Sequence, residues 1–213
     1  MRNLRFVLPV AALVGGAALV WANSLGAPTR VTGAPALGAV AAELTCNQVG
    51  CHVGNPMNSN GTLEILGVPE TYTPATTYNL TVRLTSNATA GDVNRRWGFE
   101  VTAARLSDGQ GTGSFIATGL RKVVGINSRE YVTHNSASLQ MSAASPVEWT
   151  FSWTSPATGE GSVGFYAAGN AANGNLLNAG DFIYTAGDTA KSMFTPVEPV
   201  TWGRLKGGKL FPR

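Results

Sequence analysis

Residues 147–154 read VEWTFSWT, and every second position is large and apolar. Val147, Trp149, Phe151 and Trp153 fall on one face; Glu148, Thr150, Ser152 and Thr154 fall on the other. A period of two is that of a half-buried β-strand. A row of aromatics on one strand face is core far more often than a ligand platform. The same alternation recurs in Tyr78–Ser86, with Leu80, Val82 and Leu84 on one face, and in Trp97–Ala104, with Trp97, Phe99 and Val101. Thr62–Leu66, Gly113–Ala117, Glu130–His134, Ser162–Ala168 and Asp181–Thr185 are shorter candidates. Turn residues separate them, and no window beyond the N-terminus supports a long amphipathic helix. The pattern predicts an all-β antiparallel sandwich over residues 62–190.

Outward from the strands, composition narrows the field. Charged residues are 13% of the 213, about half the usual share, while 44% are hydrophobic, which excludes an intrinsically disordered chain. A net charge of +3 is too small and too scattered for a nucleic-acid face. Two cysteines exclude a disulfide-dense scaffold and a four-cysteine zinc site. There is no Ser-His-Asp set, nucleophile elbow, phosphate loop or paired carboxylates, so no catalytic residues are assigned and the chain is read as non-enzymatic.

The N-terminus is a membrane signal. Arg2 and Arg5 precede a run without charge from Phe6 to Thr29. Residues 1–25 read as a single signal-anchor transmembrane helix, with Arg2 and Arg5 on the cytoplasmic side and Trp21 at the far interface. The alternative is a signal peptide cleaved after Val20-Trp21-Ala22. Either way the remainder is exported, into an oxidising compartment. Residues 26–61 read as an extended linker or wrapping arm followed by a Cys-His loop. Residues 191–213 form an irregular tail in which Trp202 and Phe211 alternate with Arg204, Lys206 and Lys209. Such a tail suits docking on an acidic protein surface or lipid head groups.

Several segments together carry a family resemblance: TGAP (32–35), TCNQVGCHVG (45–54), GTLEILGVPETYTPATTYNLTV (61–82), RWGFEVTAA (96–104), EYVTHN (130–135), WTFSWTSPATGEGSVGFYAAGNAANGN (149–175) and GDFIY (180–184). The chain resembles the bacterial Reeler-like (reelin-domain-like) exported proteins, which carry varied membrane or surface anchors. The resemblance implies an Ig-like β-sandwich without a catalytic constellation.

Cys46, Cys51 and His52 are the one constellation with explicit chemistry. Two thiols followed by His are what covalent c-type haem attachment uses. Members of the resembled family often carry Cys-x-x-Cys-His there; this chain has four residues between the cysteines. His134, the second of two histidines, is the candidate second haem or metal ligand. The first reading of the pair is a Cys46–Cys51 disulfide with no cofactor and no metal, and haem attachment is its alternative. Asp181 closes an Asn- and Gly-rich loop whose carbonyls and carboxylate offer only a weak Ca²⁺ signal.

These readings lead to an expected function. The chain is expected to be a periplasm-facing accessory subunit anchored in a bacterial inner membrane through residues 6–25. It would dock on other membrane-protein subunits of a larger complex, photosynthetic or respiratory, and bind no nucleic acid. A monohaem c-type electron carrier is the alternative. A surface adhesion or carbohydrate-binding module is a second alternative.

Overall fold

The computed structural model describes residues 25–48, 50–88 and 94–193. The chain runs through β1 (Gly61–Leu66), β2 (Thr71–Tyr72), β3 (Thr77–Ser86), β4 (Arg96–Arg105), β5 (Ser114–Ile116) and β6 (Arg121–Val124). It continues through β7 (Glu130–Thr133), β8 (Gln140–Met141), β9 (Val147–Thr154), β10 (Val163–Ala172) and β11 (Phe182–Ser192). One sheet has the order β1-β3-β9-β5. The other has the order β2-β11-β10-β4-β7-β6, with β8 beside one end of β4. Pairing is antiparallel throughout except for β2, which meets the end of β11 in parallel.

The alternating faces meet between the sheets. Leu80, Val82 and Leu84 of β3 and Trp149, Phe151 and Trp153 of β9 are buried there. They pack on Trp97, Phe99 and Val101 of β4 and Phe165 of β10. Phe99 stacks on Trp149 with ring centroids 4.6 Å apart, and Trp153 meets Phe165 edge-on at 5.0 Å. Each such side chain contributes about 1.5–3 kcal/mol by leaving water, so this aromatic seam dominates the sandwich. The aromatic row of β9 is therefore core.

The strand expectations differ from the structure in instructive places. The short strands β2, β6 and β8 were not expected. Three of the four residues of β6 are exposed, on a sheet edge where Arg and Lys discourage further pairing. No hydrophobic alternation marks such a strand. The last two long strands also outrun their expected ends at Ala168 and Thr185. Their extra residues are largely Ala, Gly, Asn and Thr, too small for a clear period of two, yet the register pairs them along almost the whole length of β10.

Strand β4 is buried on both faces. Its inner face is core; on its outer face His134 lies over Gly98, and Glu100 accepts Val31 N–H from the segment 25–48. Within that segment, expected as linker or wrapping arm, Val31, Ala34 and Glu43 are buried. Gly33 N–H donates to Leu44 O at 2.9 Å, and Glu43 N–H to Ala34 O at 2.8 Å, so the arm is a narrow folded loop. A buried ion pair ties it to the sheet: Arg129 Nη1 lies 2.7 Å from Glu43 Oε1. Tyr131 Oη donates to Glu43 Oε1 at 2.5 Å, and Thr32 Oγ1 to Glu43 Oε2 at 2.6 Å.

No helix among the described residues is long and apolar enough to cross a membrane. Residues 1–24 of the expected 1–25 anchor, Trp21 among them, lie outside the described residues, as do Trp202, Arg204, Lys206, Lys209 and Phe211 of the tail.

Candidate functional site

The outer face of the larger sheet carries a cavity of about 270 Å³. Its floor comes from the register of β4 on β10: Arg96 opposite Ala172, Gly98 opposite Asn170. The Cys-His loop, the start of the arm and the loop of residues 173–181 close around it. Cys46, Cys51, His52 and His134 all line it. They are all the cysteines and histidines in the chain.

The Cys-His loop turns back on itself. Gln48 N–H and His52 N–H both donate to Cys46 O, at 3.1 and 3.0 Å, and Cys51 N–H donates to Gln48 O at 3.0 Å. Gly50 takes φ +91°, a conformation that favours glycine. The turn therefore brings both thiols and the following imidazole to one wall. Both cysteines are free thiols. Burial, followed by the carboxyl of Glu100 and then the second thiol, pushes the Cys46 thiol up to about 12, so it stays protonated near neutrality.

The two histidines are held differently. His52 Nδ1 lies 2.6 Å from Asp181 Oδ2, and Asn170 Nδ2 lies 3.1 Å from its Nε2. His134 follows β7 directly and is buried. Phe99 N–H donates to its Nδ1 at 3.2 Å. The ring lies so close over β4 that a Cβ at Gly98 would come within 2.6 Å of its Cε1. Only glycine leaves room for the imidazole there.

Three buried polar atoms around this site have no hydrogen-bond partner: Arg96 Nε, Asn170 Oδ1 and Glu100 Oε1. Arg96 and Asn170 line the cavity. The other Glu100 oxygen accepts Val31 N–H at 3.0 Å. Burial raises the Glu100 carboxyl to about 8; the Val31 N–H opposes the rise, Glu43 adds to it and Arg121 opposes it. Glu100 is thus largely protonated at pH 7. Among the described residues no group of three or more His, Cys, Asp or Glu could hold a bare metal ion. The four donors are spread around the wall instead.

The sequence brought Cys46, Cys51 and His52 together by adjacency and named His134. It missed Asp181 as the partner of His52, 129 residues away, and it missed Arg96, Gly98 and Asn170. The Asn- and Gly-rich loop before Asp181 was the available signal, but composition suggested a cation there. In the structure the carboxylate faces an imidazole and the Asn173 N–H.

No family model matches the chain, and no curated protein matches it. Solved structures do. The Reelin-N domain of F-spondin is 16% identical, with a TM-score of 0.42 over 67% of this chain and 93% of that one. The human F-spondin reeler domain is also 16% identical, with a TM-score of 0.40 over 66% and 95%. A cohesin module from a Clostridium perfringens glycoside hydrolase is 9% identical, with a TM-score of 0.40 over 62% and 96%. At these values no residue role passes from those proteins to this chain.

Proposed function

We propose that this protein is a monohaem c-type redox protein, with haem tethered to Cys46 and Cys51 and ligated by His52. One observation carries the reading: every cysteine and every histidine of the chain lines a single cavity. The residues present fit the group. Two thiols and an imidazole on one turn are the attachment set, and His134 supplies a second imidazole from the strand wall. Donors spread around a cavity suit a macrocycle better than a point ion. The orphaned Arg96 Nε beside the cavity suits an anion such as a haem carboxylate. The cavity takes part of a macrocycle, and two covalent tethers suit a group that is only partly enclosed.

Attachment is an addition without an oxidant. Each thiol S–H would add across a vinyl C=C: a C–S bond would form, the thiol proton would end on the other vinyl carbon, and no electrons would leave the pair. When bound, haem supplies one-electron transfer through its iron. Cys46 and Cys51 would tether it, and His52 and His134 would present imidazole nitrogen. Attachment of this kind agrees with the export expected from the N-terminus. The accessory-subunit reading rests on the anchor and the tail, which lie outside the described residues, and on the arm, whose described part packs on the sandwich through Val31 and Glu43.

The test is intact mass with pyridine haemochrome spectroscopy, on full chain expressed with a c-type maturation system. One haem per chain and a c-type α band are expected in the wild type. Both disappear in Cys46→Ser/Cys51→Ser. A wild-type chain at its bare polypeptide mass overturns the proposal.

A further inference from the structure

Asp181 reaches His52 from the far side of the site. Its side chain is 2% exposed and that of His52 is 18% exposed. The 2.6 Å separation is short for a nitrogen–oxygen contact and marks a charge-assisted hydrogen bond. An ionised carboxylate only accepts, so the imidazole proton sits on Nδ1 and the Nε2 lone pair is left available. The Asn170 amide packs against the same ring: its Nδ2 lies 3.1 Å from Nε2 and 3.4 Å from Nδ1. Asn170 Oδ1, buried beside the cavity without a donor, leaves the amide only half satisfied in this place.

Asp181 is itself locked. Its Oδ1 accepts Asn173 N–H at 3.0 Å, and its carbonyl accepts Asn55 Nδ2 at 3.0 Å. Val53 N–H donates to Asn178 O at 2.8 Å, and Gly180 N–H to Val53 O at 3.1 Å, so the two loops meet as a short parallel bridge. The carboxylate therefore cannot turn away from the ring without opening that bridge. A simple staple between loops needs no buried charge, since the backbone bridge already supplies one. A buried carboxylate on Nδ1 raises the basicity of Nε2 and places negative charge behind whatever it ligates.

We infer that Asp181 is a positioning residue that aims His52 Nε2 into the cavity and biases the ligated iron toward its ferric state. This rests on the haem reading above. The experiment is spectroelectrochemical titration of the haem-loaded full chain, comparing wild type, Asp181→Asn and Asp181→Glu. Asn keeps an acceptor for the Nδ1 proton but removes the charge. At the wild-type midpoint, where Fe(II) and Fe(III) are equal, Asp181→Asn is expected to shift the ratio toward Fe(II) by about tenfold. Asp181→Glu is expected to restore most of the wild-type ratio. A ratio within about twofold of unity in Asp181→Asn overturns the inference and leaves the haem reading standing. If that variant does not fold, the ¹⁵N signals of His52 in the wild-type holoprotein decide instead: a strongly deshielded Nδ1–H supports the inference, and an ordinary one overturns it. A wild-type chain without haem, read by mass alone, overturns both.

Discussion

His52 and His134 reach one cavity from two kinds of backbone. His52 sits on an irregular turn whose hold is side-chain chemistry: the Asp181 carboxylate, the Asn170 amide and a bridge to a second loop. His134 sits at the end of β7, and its hold is sheet register: backbone groups of Phe99 and the missing Cβ of Gly98. The loop wall contains the reactive groups, and the strand wall contains the shape. Chemistry on a loop can be written in a few adjacent residues, whereas shape on a sheet needs strands that are far apart in sequence to pair.

The sharpest way to separate the walls is to cut the tie between arm and sheet. Glu43→Ala leaves Arg129, 1% exposed, without its carboxylate. Unfolding in urea is expected to show a loss of about 3–5 kcal/mol, as when one partner of a buried pair is removed. A loss under about 1 kcal/mol would show that the arm is held by something else.

Glu100 probes the join, because its carboxyl lies under the arm at Val31 N–H, with Glu43 and Arg121 nearby. The ordinary value is 4.5 and the folded value about 8, so between these pH values the folded chain binds more protons than the unfolded chain. The contribution of Glu100 to stability is therefore full below pH 4.5 and is lost as pH rises, until the folded carboxyl has ionised above about 8. The loss is about 3–5 kcal/mol. Urea midpoints at pH 5, 7 and 9 should fall in the wild type and stay nearly level in Glu100→Gln. Parallel profiles for the two proteins would remove Glu100 from the account.

The smallest effect tests the strand wall alone. Gly98→Ala places a methyl within 2.6 Å of the His134 ring. The expected cost is about 1–3 kcal/mol by urea unfolding, the range for overpacking. The His134 ring resonances should move while those of His52 stay. If both histidines move together, the two walls are one unit and the distinction fails.

Much of the fold was legible because a half-buried strand writes its orientation locally. VEWTFSWT and YNLTVRLTS state which side chains face inward, and the structure buries those residues. The edge strand at Arg121–Val124 was illegible because its residues bury little. The packing of residues 25–48 was illegible because it depends on Glu43 and Arg129, polar residues whose pairing no local pattern announces. Of the site, the sequence alone determined the Cys46-Cys51-His52 cluster, since a turn of seven residues cannot scatter its members far. Tertiary structure alone decided that His134 joins it, that Asp181 holds His52, and that Glu100 keeps its proton. The reason is physical. Alternation and adjacency act over a few residues, whereas a cavity and the charge state of a buried carboxyl depend on which distant segments exclude water together.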